Sequence, residues 1–267
     1  MGSRTHLITM RFWLGVGAVP DHSKILDTKR TKTITTDNWR KDPRLTAGYA
    51  ALKTKLIFDQ AARNKQVGWK LGFGSPTGLA NLKLGAPLAG YLLAERALTN
   101  NAHVDIKDWV KPVGEAEIVV YFDRDVRPGS SQDLVLQAIC AIGPAIELAD
   151  LEFIPDDPTK ILGTDIFQKH YILGDRDDSR RGGVIDGLIA RITMPDGSEK
   201  VVTELEELIG KLPEIVTHCA DVVGDFSGGI KKGEFILIGS IVPPIALTAG
   251  GLFRYSLGDY LALEVNF

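Results

Sequence analysis

The spacing of apolar residues changes character along this chain. Over residues 47–64 apolar positions recur at helical intervals. Tyr49, Leu52, Leu56 and Ile57 form a stripe that Phe58 and Ala61 widen, which predicts an amphipathic helix. Residues 67–71 predict a short strand, closed by the turn Gly72-Phe73-Gly74-Ser75-Pro76. Beyond residue 100 the pattern is mostly strand-like. Residues 117–122 are β-branched and apolar and end at Asp123-Arg124-Asp125. Residues 185–193 alternate, and Pro195-Asp196-Gly197 turns them into a partner strand at 199–203. Further strands are predicted at 234–238 and 261–267, and helices at 131–142 and 203–223, the second broken before Pro213. Strands and helices do not alternate regularly, which argues against a doubly wound sheet. The expected class is α+β with a β-rich C-terminal half. The expected organisation is an irregular arm at 1–45, a small α/β portion at 46–100 and a β-rich core at 101–267.

Composition narrows the function classes. Of the 267 residues 44% are apolar, enough for a real core. The formal net charge of -3 and the dispersed basic residues argue against a nucleic-acid partner; Lys29, Arg30 and Lys32 read as a solvated segment. Cys140 and Cys219 have neither metal spacing nor a disulfide framework, so a reducing, cytoplasmic location is expected, with Cys140 a small core residue. No apolar run is long enough to span a bilayer. Residues 12–19 are apolar and follow Arg4 and Arg11, but they are few and lack a small-residue cleavage site. An irregular arm is the better reading of them than a signal peptide.

Candidate chemistry begins with Gly114-Glu115-Ala116-Glu117. Two glutamates at i and i+2 on a strand point to one face and repel. Solvent, a basic partner or a hard divalent cation could offset that repulsion, and a solvated edge strand is the plainer reading. Glu147 sits in the apolar run Pro144-Ala145-Ile146-Glu147-Leu148-Ala149, where a lone carboxylate is costly unless paired or metal-bound; Asp150 is the alternative donor. Lys70, in Val67-Gly68-Trp69-Lys70-Leu71-Gly72, is either a desolvated proton carrier or a lysine reaching from a strand to the surface. The five histidines form no metal pair or triad motif, and Gly72-Phe73-Gly74 lacks the rest of a phosphate-loop fingerprint.

Five spaced segments together resemble one family. They are Val67-Gly68-Trp69-Lys70-Leu71-Gly72, Leu84-Gly85-Ala86-Pro87-Leu88-Ala89-Gly90, Glu115-Ala116-Glu117-Ile118, the run around Glu147, and Lys232-Gly233-Glu234-Phe235-Ile236-Leu237-Ile238-Gly239-Ser240. Their order is similar to the 2-keto-4-pentenoate hydratase / 4-oxalocrotonate decarboxylase group of the fumarylacetoacetate hydrolase superfamily, over residues 67–267. The resemblance implies a mixed β-sheet roll with a smaller N-terminal α/β portion. It implies Mg²⁺ or Mn²⁺ held by Glu115, Glu117 and Glu147, Lys70 as the active-site lysine, and Ser240 at the Gly-Ser turn beside substrate. It also implies a small 2-keto or 2-enol acid substrate, as in meta-cleavage of aromatic compounds, and homo-oligomers associated in some cases with an aldolase or a paralogous subunit. Two positions depart from the family. Leu88 stands where hydratases carry an acid. Thr164-Asp165-Ile166-Phe167-Gln168 stands in place of an Asp-Asn-Ala-Ser loop, so Leu88 and Asp165 are expected to face substrate. These departures leave hydratase, decarboxylase, C–C hydrolase and non-catalytic partner subunit open. A hydrolase would need a His–acid pair, for which His103 is the only histidine between Lys70 and Glu115.

Overall fold

A computed structural model describes residues 36–267; the reading of 12–19 lies outside them. Helix α1 (Pro43–Ala61) opens on Asp42, whose side chain accepts from the Arg44 N–H, and on Pro43, whose missing donor is harmless at a helix start. It buries Leu45, Tyr49, Leu52 and Leu56, while Ile57 and Phe58 stay 56% and 69% exposed. The buried stripe is therefore narrower than the apolar pattern predicts.

The main sheet has eight strands. Its order runs β2 (Leu88–Leu93), β1 (Gln66–Gly72), β10 (Phe235–Ser240), β5 (Pro112–Phe122), β6 (Ile139–Asp150), β7 (Gln168–Leu173), β3 (Ala97–Leu98), with β11 (Ile245–Ala246) added to β5. β1 and β10 are parallel, as are β3 and β7; the other pairings are antiparallel. A second sheet of five strands is ordered β4 (Ala102–His103), β13 (Leu263–Asn266), β12 (Leu252–Leu257), β8 (Ala190–Thr193), β9 (Glu199–Val202). Strands dominate the second half, in line with the α+β expectation.

Neighbouring residues on the central strands enter different apolar clusters. Ile236 and Val120 join the large core with α1 and α6 (Leu212–Ser227), while Leu237 and Val119 join a small cluster with Leu92, Ala145, Tyr171 and Phe235. That is the two-residue alternation of a sheet covered on both faces. The face carrying Val119 and Leu237 also carries Lys70, which pairs in register with Leu237. Lys70 reaches Glu147 on β6 although β10 and β5 lie between their strands, so the sheet curls around this face.

Two predicted helices come out differently, and the strand expected over 185–193 is confined to β8. The helix predicted at 131–142 is α3 (Gln132–Ala138), capped by Ser131, and Ile139 begins the buried twelve-residue strand β6. A short apolar run cannot distinguish a buried helix from a buried strand; pairing with β5 decides here. The helix at 203–223 divides into α5 (Glu206–Ile209) and α6, with Gly210 at φ 89° between them. No helix among the described residues is long and apolar enough to cross a membrane.

Candidate metal centre

Glu115 and Glu117 leave β5 on one face, as their spacing requires. The register of β6 sets Glu147 directly across from Glu115 and Ala145 across from Glu117. One oxygen from each of Glu115, Glu117 and Glu147 falls within 4.8 Å of the others. Glu117 and Glu147 are buried and Glu115 is partly exposed. Glu117 Oε2 accepts from the Gly239 N–H at 3.0 Å, whereas Glu117 Oε1 and Glu147 Oε2 are buried without a hydrogen-bond partner. Lys70, 2% exposed on β1, forms an ion pair with Glu147 and donates to the Ile166 carbonyl at 3.2 Å.

The electrostatics follow from that crowding. Burial and then the neighbouring glutamates push Glu117 well above the usual carboxylate range. Burial and Glu147 push Glu115 up to about 7, against the pull of Lys70. Burial raises Glu147 too, and Lys70 opposes it. Ionised, the three carboxylates carry three negative charges, of which the ion pair with Lys70 offsets one. A divalent cation would balance the remainder and occupy the two orphaned oxygens, so the donor set fits a hard, oxygen-seeking ion.

The other candidates are placed less uniformly. Ser240 pairs in register with Glu117, and its hydroxyl donates to the Ala116 carbonyl at 3.4 Å. Leu88 is buried in the large core opposite Gly72. Asp165 is fully buried; its Oδ1 accepts from the Tyr91 N–H at 3.0 Å and its Oδ2 from Arg96 at 3.2 Å. His103 is exposed on β4 in the smaller sheet, and the buried His218 Nε2 lies 2.8 Å from the Pro87 carbonyl. Cys140 and Cys219 are buried free thiols. Asp150, the alternative donor, instead accepts the N–H groups of Val110 and Lys111.

Arg96 and the Ile166 carbonyl escaped the sequence reading. Arg96 belongs to no motif, and a backbone carbonyl leaves no residue-type signal. Two motif glycines do carry a trace of the arrangement. A Cβ at Gly90 would stand 2.7 Å from Asp165 Oδ1 and 3.2 Å from Lys70 Cγ, and one at Gly72 would stand 2.9 Å from Ile166 Cγ2. Both must lack side chains for the turn at 165–167 to close over Lys70.

Comparison with known proteins places this geometry. No family model matches the chain. It is 26% identical over 251 residues to a 2-hydroxyhexa-2,4-dienoate hydratase of Comamonas testosteroni, covering 91% of this chain and 93% of that protein. It is 25% identical over 193 residues to a 4-oxalocrotonate decarboxylase of Pseudomonas putida, covering 70% and 72%. Among solved structures, the 4-oxalocrotonate decarboxylase from Pseudomonas putida G7 complexed with magnesium and adipate superposes with a TM-score of 0.75 at 20% identity, over 88% of this chain and 89% of that one. A fumarylacetoacetate hydrolase family protein from Yersinia pestis matches with a TM-score of 0.55 at 12% identity, over 76% and 93%. The chain has the fumarylacetoacetate hydrolase fold. In sequence it is similar to hydratases and a decarboxylase, the group that the ordered motifs resemble.

Proposed function

We propose that this protein is a divalent-metal-dependent lyase that hydrates a small 2-hydroxydienoate or its 2-keto tautomer, as in meta-cleavage degradation of aromatic compounds. The observation that carries the reading is the joining of three carboxylates from two strands with a buried lysine from a third. Relatives along most of the chain are hydratases and a decarboxylase, which supports the same substrate class. Glu115, Glu117 and Glu147 would hold Mg²⁺ or Mn²⁺. When bound, such an ion supplies a Lewis acid for a carboxylate and an adjacent 2-oxygen.

The chain's own groups supply the rest. Lys70 has three N–H donors, of which Glu147 and the Ile166 carbonyl engage two. The third is free to hold a substrate carboxylate or pass a proton. Burial on the concave face keeps bulk water away from that transfer and strengthens each charge interaction. Ser240, in register with Glu117, would be the hydroxyl that meets substrate, its position at the Gly-Ser turn supporting that reading. The decarboxylase reading uses the same residues and stays the alternative. A hydrolase is less well supported, because His103 lies in the other sheet. We place the enzyme in the cytoplasm on its two free thiols, and the family resemblance favours homo-oligomers, with an aldolase or paralogous subunit as associate.

The test mixes the purified protein and Mg²⁺ with 2-hydroxypenta-2,4-dienoate, 4-oxalocrotonate and an acylpyruvate. Loss of the dienoate chromophore with gain of one water supports the hydratase. Release of CO₂ from 4-oxalocrotonate supports the decarboxylase instead. Silence on all three, with no metal heat by calorimetry, defeats the enzyme reading.

A further inference from the structure

Lys70 is held from one side by a carboxylate and from the other by a backbone carbonyl, and the second support is unusual. Ile166 lies in a run of three non-glycine residues in left-handed conformation, with φ of 59° at Asp165, 55° at Ile166 and 62° at Phe167. A β-branched residue rarely adopts that region, so surrounding contacts must enforce it. Those contacts converge on Arg96, just past the end of β2. Its Nη1 donates to Asp165 Oδ2 at 3.2 Å, to the Gln168 carbonyl at 3.1 Å and to Gln168 Oε1 at 2.6 Å. One guanidinium therefore grips the turn at both ends. The Tyr91 N–H holds the other Asp165 oxygen at 3.0 Å, which ties the turn to β2. Both Asp165 oxygens are thus engaged by the protein, and the residue is fully buried.

We propose that Arg96 and Asp165 are positioning residues that clamp the 165–167 turn so that the Ile166 carbonyl orients the Lys70 ammonium. This gives Asp165 a role behind the lysine in place of contact with substrate. It rests on the assignment of Lys70 to proton transfer or substrate holding made above. Removing Arg96 alone leaves a buried carboxylate without its cation. Removing both charges, with Asn at 165 still accepting from Tyr91, leaves a neutral and satisfied turn.

Four variants test the clamp: Arg96→Met, Arg96→Lys, Arg96→Met/Asp165→Asn, and Arg96→Met in a Lys70→Met background. Arg96→Met is expected to lower kcat about 10–100-fold, the range for loss of an outer-shell partner. KM and Mg²⁺ affinity should change far less. Arg96→Lys and the double neutral variant should each recover part of that loss. In the Lys70→Met background Arg96→Met should lower residual turnover no further, because both act through one group. A second readout needs no substrate: the side-chain ¹⁵N resonance of Lys70, assigned by its disappearance in Lys70→Met, should shift in Arg96→Met. Wild-type kcat and an unshifted resonance in a folded Arg96→Met protein overturn the proposal, as does an equal loss of turnover with and without Lys70. A shifted resonance in a protein inactive on every substrate supports the clamp while overturning the function assigned above.

Discussion

One face of the main sheet serves two opposite purposes. On it Leu92, Val119, Ala145, Tyr171, Phe235 and Leu237 form an apolar cluster. In register with its members stand Lys70 beside Leu237, Glu117 beside Ala145 and Glu147 beside Tyr171, with Glu115 facing Glu147. Two residues of register separate Val119 from Glu117, and two separate Ala145 from Glu147. The apolar cluster is satisfied by the protein alone, whereas the polar set retains two orphaned carboxylate oxygens and raised acid pKa values. A fold can hold such frustration when the adjoining strand segments are well packed. The apolar side chains of this face are packed, and the unsatisfied polar atoms belong to its carboxylates.

Four experiments sharpen or break that division, beginning with the largest effect. Lys70→Met should lower turnover by roughly 10²–10⁴-fold, the usual contribution of a proton-transferring group, with the fold retained. Near-normal turnover would remove Lys70 from the chemistry. Glu117→Gln should weaken Mg²⁺ binding, read by calorimetry, by more than the roughly 10–100-fold that an outer-shell partner costs. Unchanged affinity would refute the ligand assignment. Leu237→Ala, at a fully buried site of the apolar cluster, should destabilise by about 2–5 kcal/mol in denaturant melts and leave metal affinity alone. A matching loss of metal affinity would mean the two sets are one unit.

The smallest effect is a pH dependence. Glu115 and Asp165 are each pushed up to about 7, in both cases first by burial. A carboxyl raised above its unfolded value favours the fold at acid pH and loses that benefit as pH climbs through the folded value. Metal-free protein should therefore melt lower at about pH 8 than at about pH 5, and Mg²⁺ should raise Tm more at the higher pH, where the acids are ionised. An equal Mg²⁺ shift at both values would show that these carboxylates do not set the linkage.

Much of the candidate site is legible in the sequence. The i, i+2 glutamates had to share a strand face, Glu147 was conspicuous as a charge in an apolar run, and Lys70 stood among aromatic and apolar neighbours. Motif order added the fold class. What stayed hidden depended on partners far away in the chain. The run from Ile139 could read as the end of a helix until its pairing with β5 made it a strand. Motif position alone sets Leu88 beside substrate, and the burial of its side chain opposite Gly72 depends on the pairing of β2 with β1.

By itself, then, the sequence determined which side chains could do chemistry and that β5 presents two of them together, because residue type and a two-residue repeat are local properties. Only the tertiary structure decided that Glu147 falls opposite Glu115, that Lys70 meets it across two intervening strands, and that Arg96 braces a left-handed turn beneath that lysine. Strand register and sheet curvature set those meetings, and both arise from packing of the whole chain.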